Sequence, residues 1–149
     1  MLVSHAHKFI FQKTRKTAGT SIEMLFEPFS APAGHVVREN TYGVNSDFGI
    51  IGHRIAHSKE HTELNEWREH RPAWENRRAL GRELWKSYFR FTAVRNPFDR
   101  AVSSFHWRWS SVGKPEIKTF KEVRAHFRDF IVNGELRDDR SVVHRKGVY

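Results

Sequence analysis

The residue pattern predicts an α/β fold in which strands feed helices and a parallel central sheet is favoured. Two strand-to-helix passages carry that prediction. In the first, Phe9, Ile10 and Phe11 form a short buried strand that runs through a hydroxyl-rich loop into a helical apolar repeat. In the second, residues 89–94 form a strand that Arg95 and Asn96 end and that Pro97 turns into a helix. The chain of 149 residues has the size of one domain, and it contains no internal repeat.

Taken in order, residues 8–13 are the first expected strand, and His5 and His7 ahead of it are read as a frayed end. After the loop at 14–21, Ile22, Leu25, Phe26 and Phe29 recur at helical spacing until Pro28 and Pro32 stop the pattern. Residues 30–47 read as a long surface connection, and residues 48–52 as a short strand or packed loop. Pro72 opens a helix carrying Ala73, Trp74, Arg77 and Leu80, and Gly81 ends it. A further helical stretch, 83–88, leads into the strand at 89–94. In the helix after Pro97, Phe98, Val102, Phe105 and Trp109 make one stripe. Thr119 with Glu122 is a capping-box pattern before an apolar face of Phe120, Val123, Phe127, Phe130 and Ile131, and Asn133-Gly134 closes that helix.

Composition narrows the function. Hydrophobic residues are 38% and aromatics 13%, enough for a core, which excludes wholesale disorder. With 0 Cys, disulfide scaffolds, thiolate metal sites and cysteine nucleophiles are excluded. No run approaches the roughly 20 apolar residues of a membrane span and the start lacks a signal-like apolar stretch, so a soluble, cytoplasmic chain is expected. Lys and Arg number 26 against 17 Asp and Glu, a net charge of +9, which favours an anionic partner without choosing among phosphate ligand, acidic polysaccharide and nucleic acid.

The loop suits an anion. A helix start presents unpaired N–H groups and partial positive charge; Gly19 permits close backbone approach, Thr20 and Ser21 offer hydroxyls, and Lys16 adds a charge. A Walker A loop would place Lys directly after its last Gly, whereas Lys16 precedes Gly19, so a nucleoside triphosphatase matches poorly. Arg95, at a strand end, and Ser103, two turns into the next helix, form a second grip for a phosphate. That strand segment ends in Arg, with no Asp there to hold magnesium.

With these motifs the sequence resembles the carbohydrate-type sulfotransferases. Residues 16–21, Lys16-Thr17-Ala18-Gly19-Thr20-Ser21, are similar to that family's K-T-G-G-T-S loop around a 5′-phosphosulfate. Residues 94–103, from Val94-Arg95-Asn96-Pro97 to Ser103, resemble its V-R-N-P-[FW]-D-R-x-V-S motif around a 3′-phosphate and are the more specific match. The resemblance runs from about Phe9 to Gly134. It implies a fold related to P-loop NTPases, with a central parallel sheet flanked by helices. It also implies 3′-phosphoadenosine 5′-phosphosulfate (PAPS) as sulfuryl donor, no metal, and a hydroxyl acceptor, expected to be a carbohydrate or other anionic glycan. By that resemblance Lys16, Thr17, Ala18, Gly19, Thr20 and Ser21 hold the 5′ end, Arg95 and Ser103 hold the 3′-phosphate, and Lys16 stabilises the leaving oxygen.

A general base is expected to be a histidine, His70 first and His53 second. His53, His57 and His61 are spaced by four, but the segment lacks a zinc-protease glutamate and does not read as helical, so no metal site is expected. Three departures from the family stand out. Arg15 takes the place of a Pro, Ala18 takes the place of a Gly at a position where a methyl opposes positive φ, and the chain stops short of the family's C-terminal portion. A phosphotransferase using the same cradle and an inactive nucleotide- or polyanion-binding relative are the alternatives; nucleic-acid motifs and membrane anchors are absent from the pattern.

Overall fold

The computed structural model describes residues 1–54, 67–111, 119–134, 136, 139, 141–144, 147 and 148. It begins with β1 (Leu2–Ser4) and β2 (Phe9–Gln12), then α1 (Gly19–Phe26), a 3-10 turn (Glu27–Ser30), β3 (Val44–Ser46) and β4 (Gly49–Ile51). Next come α2 (Ala73–Leu80), α3 (Arg82–Ser87), β5 (Phe89–Thr92), α4 (Pro97–Ser111) and α5 (Phe120–Val132), with the small ribbon β6 (Val143–His144) and β7 (Gly147–Val148) last. These elements fall into two compact units, Met1–Ala93 with Asp139–Tyr149, and Val94–Asp138.

The first unit is built on a five-stranded sheet of order β3-β4-β1-β2-β5. Here the expected P-loop-NTPase-like parallel sheet is overturned. β1 is antiparallel to both β2 and β4, β3 is antiparallel to β4, and only β2 and β5 run parallel, with Phe9 opposite Phe89. The reason lies in the connections. Residues 5–8 and 47–48 are too short for anything but a hairpin, because a parallel pair needs a crossover of about a dozen residues or more. The path from β2 to β5 is long enough for a crossover and that pair is parallel, whereas β1 and β4, also far apart in sequence, pair antiparallel.

β1 also displaces the expected frayed end. Leu2 and Val3 are wholly buried at the sheet centre, as a strand covered on both faces requires. His5 Nδ1 lies 2.9 Å from the Tyr88 hydroxyl, and the His7 ring meets Phe29 edge-on at 5.2 Å.

The period of two along the strands divides the core. On one face Val3, Ile10 and Ile50 pack with Trp67 beneath Leu80, Leu84 and Trp85 of the α2–α3 pair. On the other, Leu2, Phe9, Phe11 and Ile51 pack with Ile22 and Phe26 of α1 and with Phe91. The expected apolar face of α1 is therefore only half used: Ile22 and Phe26 pack inward, whereas Leu25 and Phe29 are exposed. Two of the most deeply buried side chains here are acidic, Glu23 of α1 and Glu27 at the start of the 3-10 turn, one turn apart and each 0% exposed.

Those carboxylates are matched by cations from distant segments. Glu23 Oε2 accepts from Lys13 Nζ at 2.9 Å, and Oε1 accepts from the Met1 nitrogen at 2.5 Å. Glu27 pairs with Arg54 and, at 2.6 Å, with His35 Nε2. Arg54 in turn donates to the carbonyls of Arg38 and Glu39, which pins the long connection before β3. For Glu23, burial alone would raise the carboxyl pKa, but the positive charges at Met1 and Lys13 outweigh it and hold the group below the ordinary carboxylate value.

The second unit is a helix pair whose ends are set locally. Asn96 Oδ1 accepts from the Phe98 N–H at 2.9 Å to cap α4. The capping box is formed as the sequence predicts: Thr119 Oγ1 accepts from the Glu122 N–H at 3.3 Å, and Glu122 Oε2 accepts from the Thr119 N–H at 2.9 Å. The helices meet through Phe105, whose ring lies 5.3 Å from Phe127, 5.6 Å from Phe130 and 4.8 Å from Trp109. Of the predicted stripe on α4, Phe98 and Val102 stay exposed.

Candidate functional site

Residues 13–18 connect β2 to α1, with Lys13, Thr14 and Thr17 buried and Arg15 and Ala18 exposed. Thr14 and Thr17 turn inward. Their hydroxyls lie 2.8 Å apart, and Thr14 Oγ1 donates to the Ala93 carbonyl at 2.6 Å, fastening the loop to the end of β5. The Thr17 hydroxyl, a predicted ligand contact, is thus engaged inside the loop. Lys16 and Ala18 both take left-handed backbone, with φ of 59° and 60°. Ala18 is the N-cap of α1, and its carbonyl accepts from the Ile22 N–H at 3.1 Å.

The methyl of Ala18 conflicts with that conformation, which costs an L-residue roughly 1–2 kcal/mol relative to glycine-like freedom. Ala18→Gly is expected to raise stability by about 0.5–1 kcal/mol, the relief being partly offset by the extra freedom of Gly in the unfolded chain. The midpoint of urea unfolding measures it, and a midpoint that falls refutes the strain.

Gly19 serves a purpose that the sequence did not disclose. A Cβ there would lie 2.7 Å from Lys13 Cγ, so the missing side chain makes room for the lysine stem rather than for a ligand. Lys13 passes through that gap and its Nζ reaches Thr20 Oγ1 at 3.0 Å, Glu23 at 2.9 Å and Glu69 at 2.7 Å. Lys13 was missed because a lysine at a strand end reads as solvated. The signal that could have found it is the glycine-and-acid pair on the helix that follows.

His70 stands beside this loop. Its neighbours on either side are tied to β2 and its extension: Glu69 to Lys13, and the Arg71 carbonyl to Gln12 Nε2 at 2.7 Å. Asn76 of α2 donates to Gln12 Oε1 at 2.8 Å and so steadies the same junction. His70 has φ of 53°, a further strained position, and its buried Nδ1 has no hydrogen-bond partner among the described residues. Burial first, then the Arg15 charge, lower its pKa to about 4, against the raising pull of Glu69 and Asp139. The imidazole is therefore neutral at ordinary pH, and its burial makes it a weaker base than an exposed histidine.

Asp139 returns from the far end of the chain to the same place. Its Oδ2 accepts from the Arg15 N–H at 2.5 Å and its Oδ1 from the Ser141 N–H at 3.0 Å. Burial would raise its pKa, but hydrogen bonds from Ser141 and Arg15 and the nearby His70 prevail and hold it below the ordinary value.

The first unit thus brings together the predicted residues Lys16, Thr17, Ala18, Gly19, Thr20, Ser21 and His70. His53 belongs to the same unit, but its ring packs against Tyr42 at 6.2 Å and its N–H donates to the Trp67 carbonyl. Arg95 and Ser103 belong to the second unit, flanking and within α4. His57 and His61 lie outside the described residues. Among the described residues no group of 3 or more His, Asp or Glu is placed to hold a metal.

The loop fits an anionic group. Among the described residues no side chain caps α1, its first turn carries no acid, and Thr20 and Ser21 open it with hydroxyls.

Residues 1–133 match the Sulfotransferase family. That match covers most of the chain, and the chain belongs to this family, consistent with a carbohydrate-sulfotransferase-like protein. Membership carries the potential for sulfuryl-transfer catalysis. No curated protein and no solved structure matches the chain. Among the described residues no helix is long and apolar enough to cross a membrane.

Proposed function

We propose that the chain moves the sulfuryl group of PAPS to a hydroxyl acceptor, a carbohydrate or another anionic glycan. The observation that carries this reading is the pair of left-handed residues, Lys16 and Ala18, opening onto a helix start that no acid occupies. PAPS, when bound, supplies the sulfuryl group on its phosphosulfate. Residues 16–21 hold its 5′ end, Thr17 through its main chain and Thr20 and Ser21 through hydroxyls as well. Arg95 and Ser103 hold the 3′-phosphate, the Arg as a planar fork.

Transfer breaks the bond from sulfur to the bridging oxygen and forms one to the acceptor oxygen. Lys16 stabilises the negative charge that grows on the bridging oxygen, a preorganised electrostatic role. His70, neutral beside the loop, takes the proton that the acceptor hydroxyl releases. His53 is the second candidate for that proton. The basic balance of the chain, +9, favours approach of an acidic acceptor.

Calorimetric titration with 3′-phosphoadenosine 5′-phosphate beside AMP tests the donor class. Binding about 30- to 150-fold tighter for the first is expected, since a phosphate gripped by Arg and hydroxyl contributes about 2–3 kcal/mol. Equal affinity for both sinks the reading.

A further inference from the structure

We infer that Asp139 is a positioning residue for the anion loop, acting through the main-chain N–H of Arg15. The inference rests on reading residues 16–21 as the donor cradle. Lys16 and Ala18 are both held in a conformation that L-residues avoid, and the Ala18 side chain is exposed, so packing contributes little to holding that residue. A carboxylate oxygen at 2.5 Å from the Arg15 N–H supplies the restraint just ahead of the first left-handed residue.

Asp139 is itself anchored. Its second oxygen takes the Ser141 N–H, Ser141 is 1% exposed, and the Ser141 carbonyl accepts from the Ala73 N–H at 2.9 Å where α2 begins. Asp139 and Ser141 therefore tie the loop to the start of α2, just after His70. Both parts of the candidate site share one fastening. The restraint needs an N–H at position 15, which the Arg15 found there has and a Pro would lack.

The test uses the full chain and two readouts: amide hydrogen exchange across residues 14–21, and affinity for 3′-phosphoadenosine 5′-phosphate. Asp139→Ala is expected to speed exchange in the loop and to weaken binding about tenfold, the loss of one charge-assisted hydrogen bond. Asp139→Asn keeps an acceptor oxygen and is expected to stay within about threefold of the parent. In an Arg15→Pro background, where no N–H remains, Asp139→Ala is expected to add less than about a factor of two.

A full tenfold loss in both backgrounds assigns Asp139 to the Ser141 turn alone and overturns the inference. So does unchanged loop exchange in Asp139→Ala. If Arg15→Pro does not fold, the contrast between the Ala and Asn variants decides: equal losses overturn the inference, and a loss confined to Ala supports it. Failure of the parent chain to bind the nucleotide would refute the donor reading, while the exchange data would still judge Asp139.

Discussion

Replacing Lys16 with Ala is expected to leave a folded chain that binds 3′-phosphoadenosine 5′-phosphate within a few-fold of the parent but turns over on the order of 10²–10³ times more slowly. The difference follows from when the charge matters. On the proposed reading the main-chain N–H groups at the start of α1 already share the bound anion, so one ammonium adds little. As the sulfuryl group departs, negative charge concentrates on the bridging oxygen, and a positioned lysine then stabilises the transition state far more than the ground state. Arg95→Ala should divide the other way, losing nucleotide affinity with a smaller change in the rate at saturation. Measured side by side, kcat and the calorimetric Kd separate the two roles. Undiminished turnover in both variants would remove Lys16 and Arg95 from the mechanism.

The second large effect concerns stability. Glu23→Ala removes the carboxylate that faces Lys13 and the Met1 nitrogen and leaves the wholly buried Lys13 short of its counter-charge. Breaking a buried ion pair by deleting one partner costs about 3–5 kcal/mol, a large share of the roughly 5–15 kcal/mol that holds a domain together. Glu69 shares the same lysine, yet its side chain is 36% exposed, so Glu69→Ala should cost no more than about 1 kcal/mol. Urea midpoints at constant slope measure both, and equal costs would contradict the distinction.

The pH dependence has a definite sign. Glu23 has a folded-state pKa below its unfolded value, so as the pH falls the unfolded chain takes up the proton first. Its contribution is complete above the ordinary carboxylate range and is lost as the pH falls through the lowered folded value. In Glu23→Ala that part of the acid loss should disappear.

Much of this molecule was legible along the chain where the chemistry is local. The cap of Thr119 on Glu122, the helix starts at Pro72 and Pro97, the strand at Phe9 to Gln12 and the loop between it and α1 all depend on residues within a turn of one another. The positive φ at Ala18 could be anticipated as a conflict, since a methyl stands where glycine is wanted. What escaped depends on partners far apart. Sheet polarity is settled by the hairpins that join β1 to β2 and β3 to β4, and a stretch as short as Leu2–Ser4 has no period of its own to betray a central strand. The buried acidic face of α1 reads as solvent-facing until Lys13, His35 and Arg54 are seen to converge on it. Asp139 joins the site from 124 residues beyond Arg15 and carries no motif.

The pairing of Phe9 with Phe89, and of Leu2 with Ile51, has a consequence for how the chain comes off the ribosome. At about 5–20 residues per second, β5 emerges some seconds after β2, with about 4–16 s between them. During that interval Phe9 and Phe11 have no aromatic cover from Phe91. The helix pair of the second unit, by contrast, needs only near neighbours and should assemble almost as soon as it is made. β2 thus waits longer for its cover than the helices of the second unit do, and it is where a nascent-chain chaperone would be expected to act.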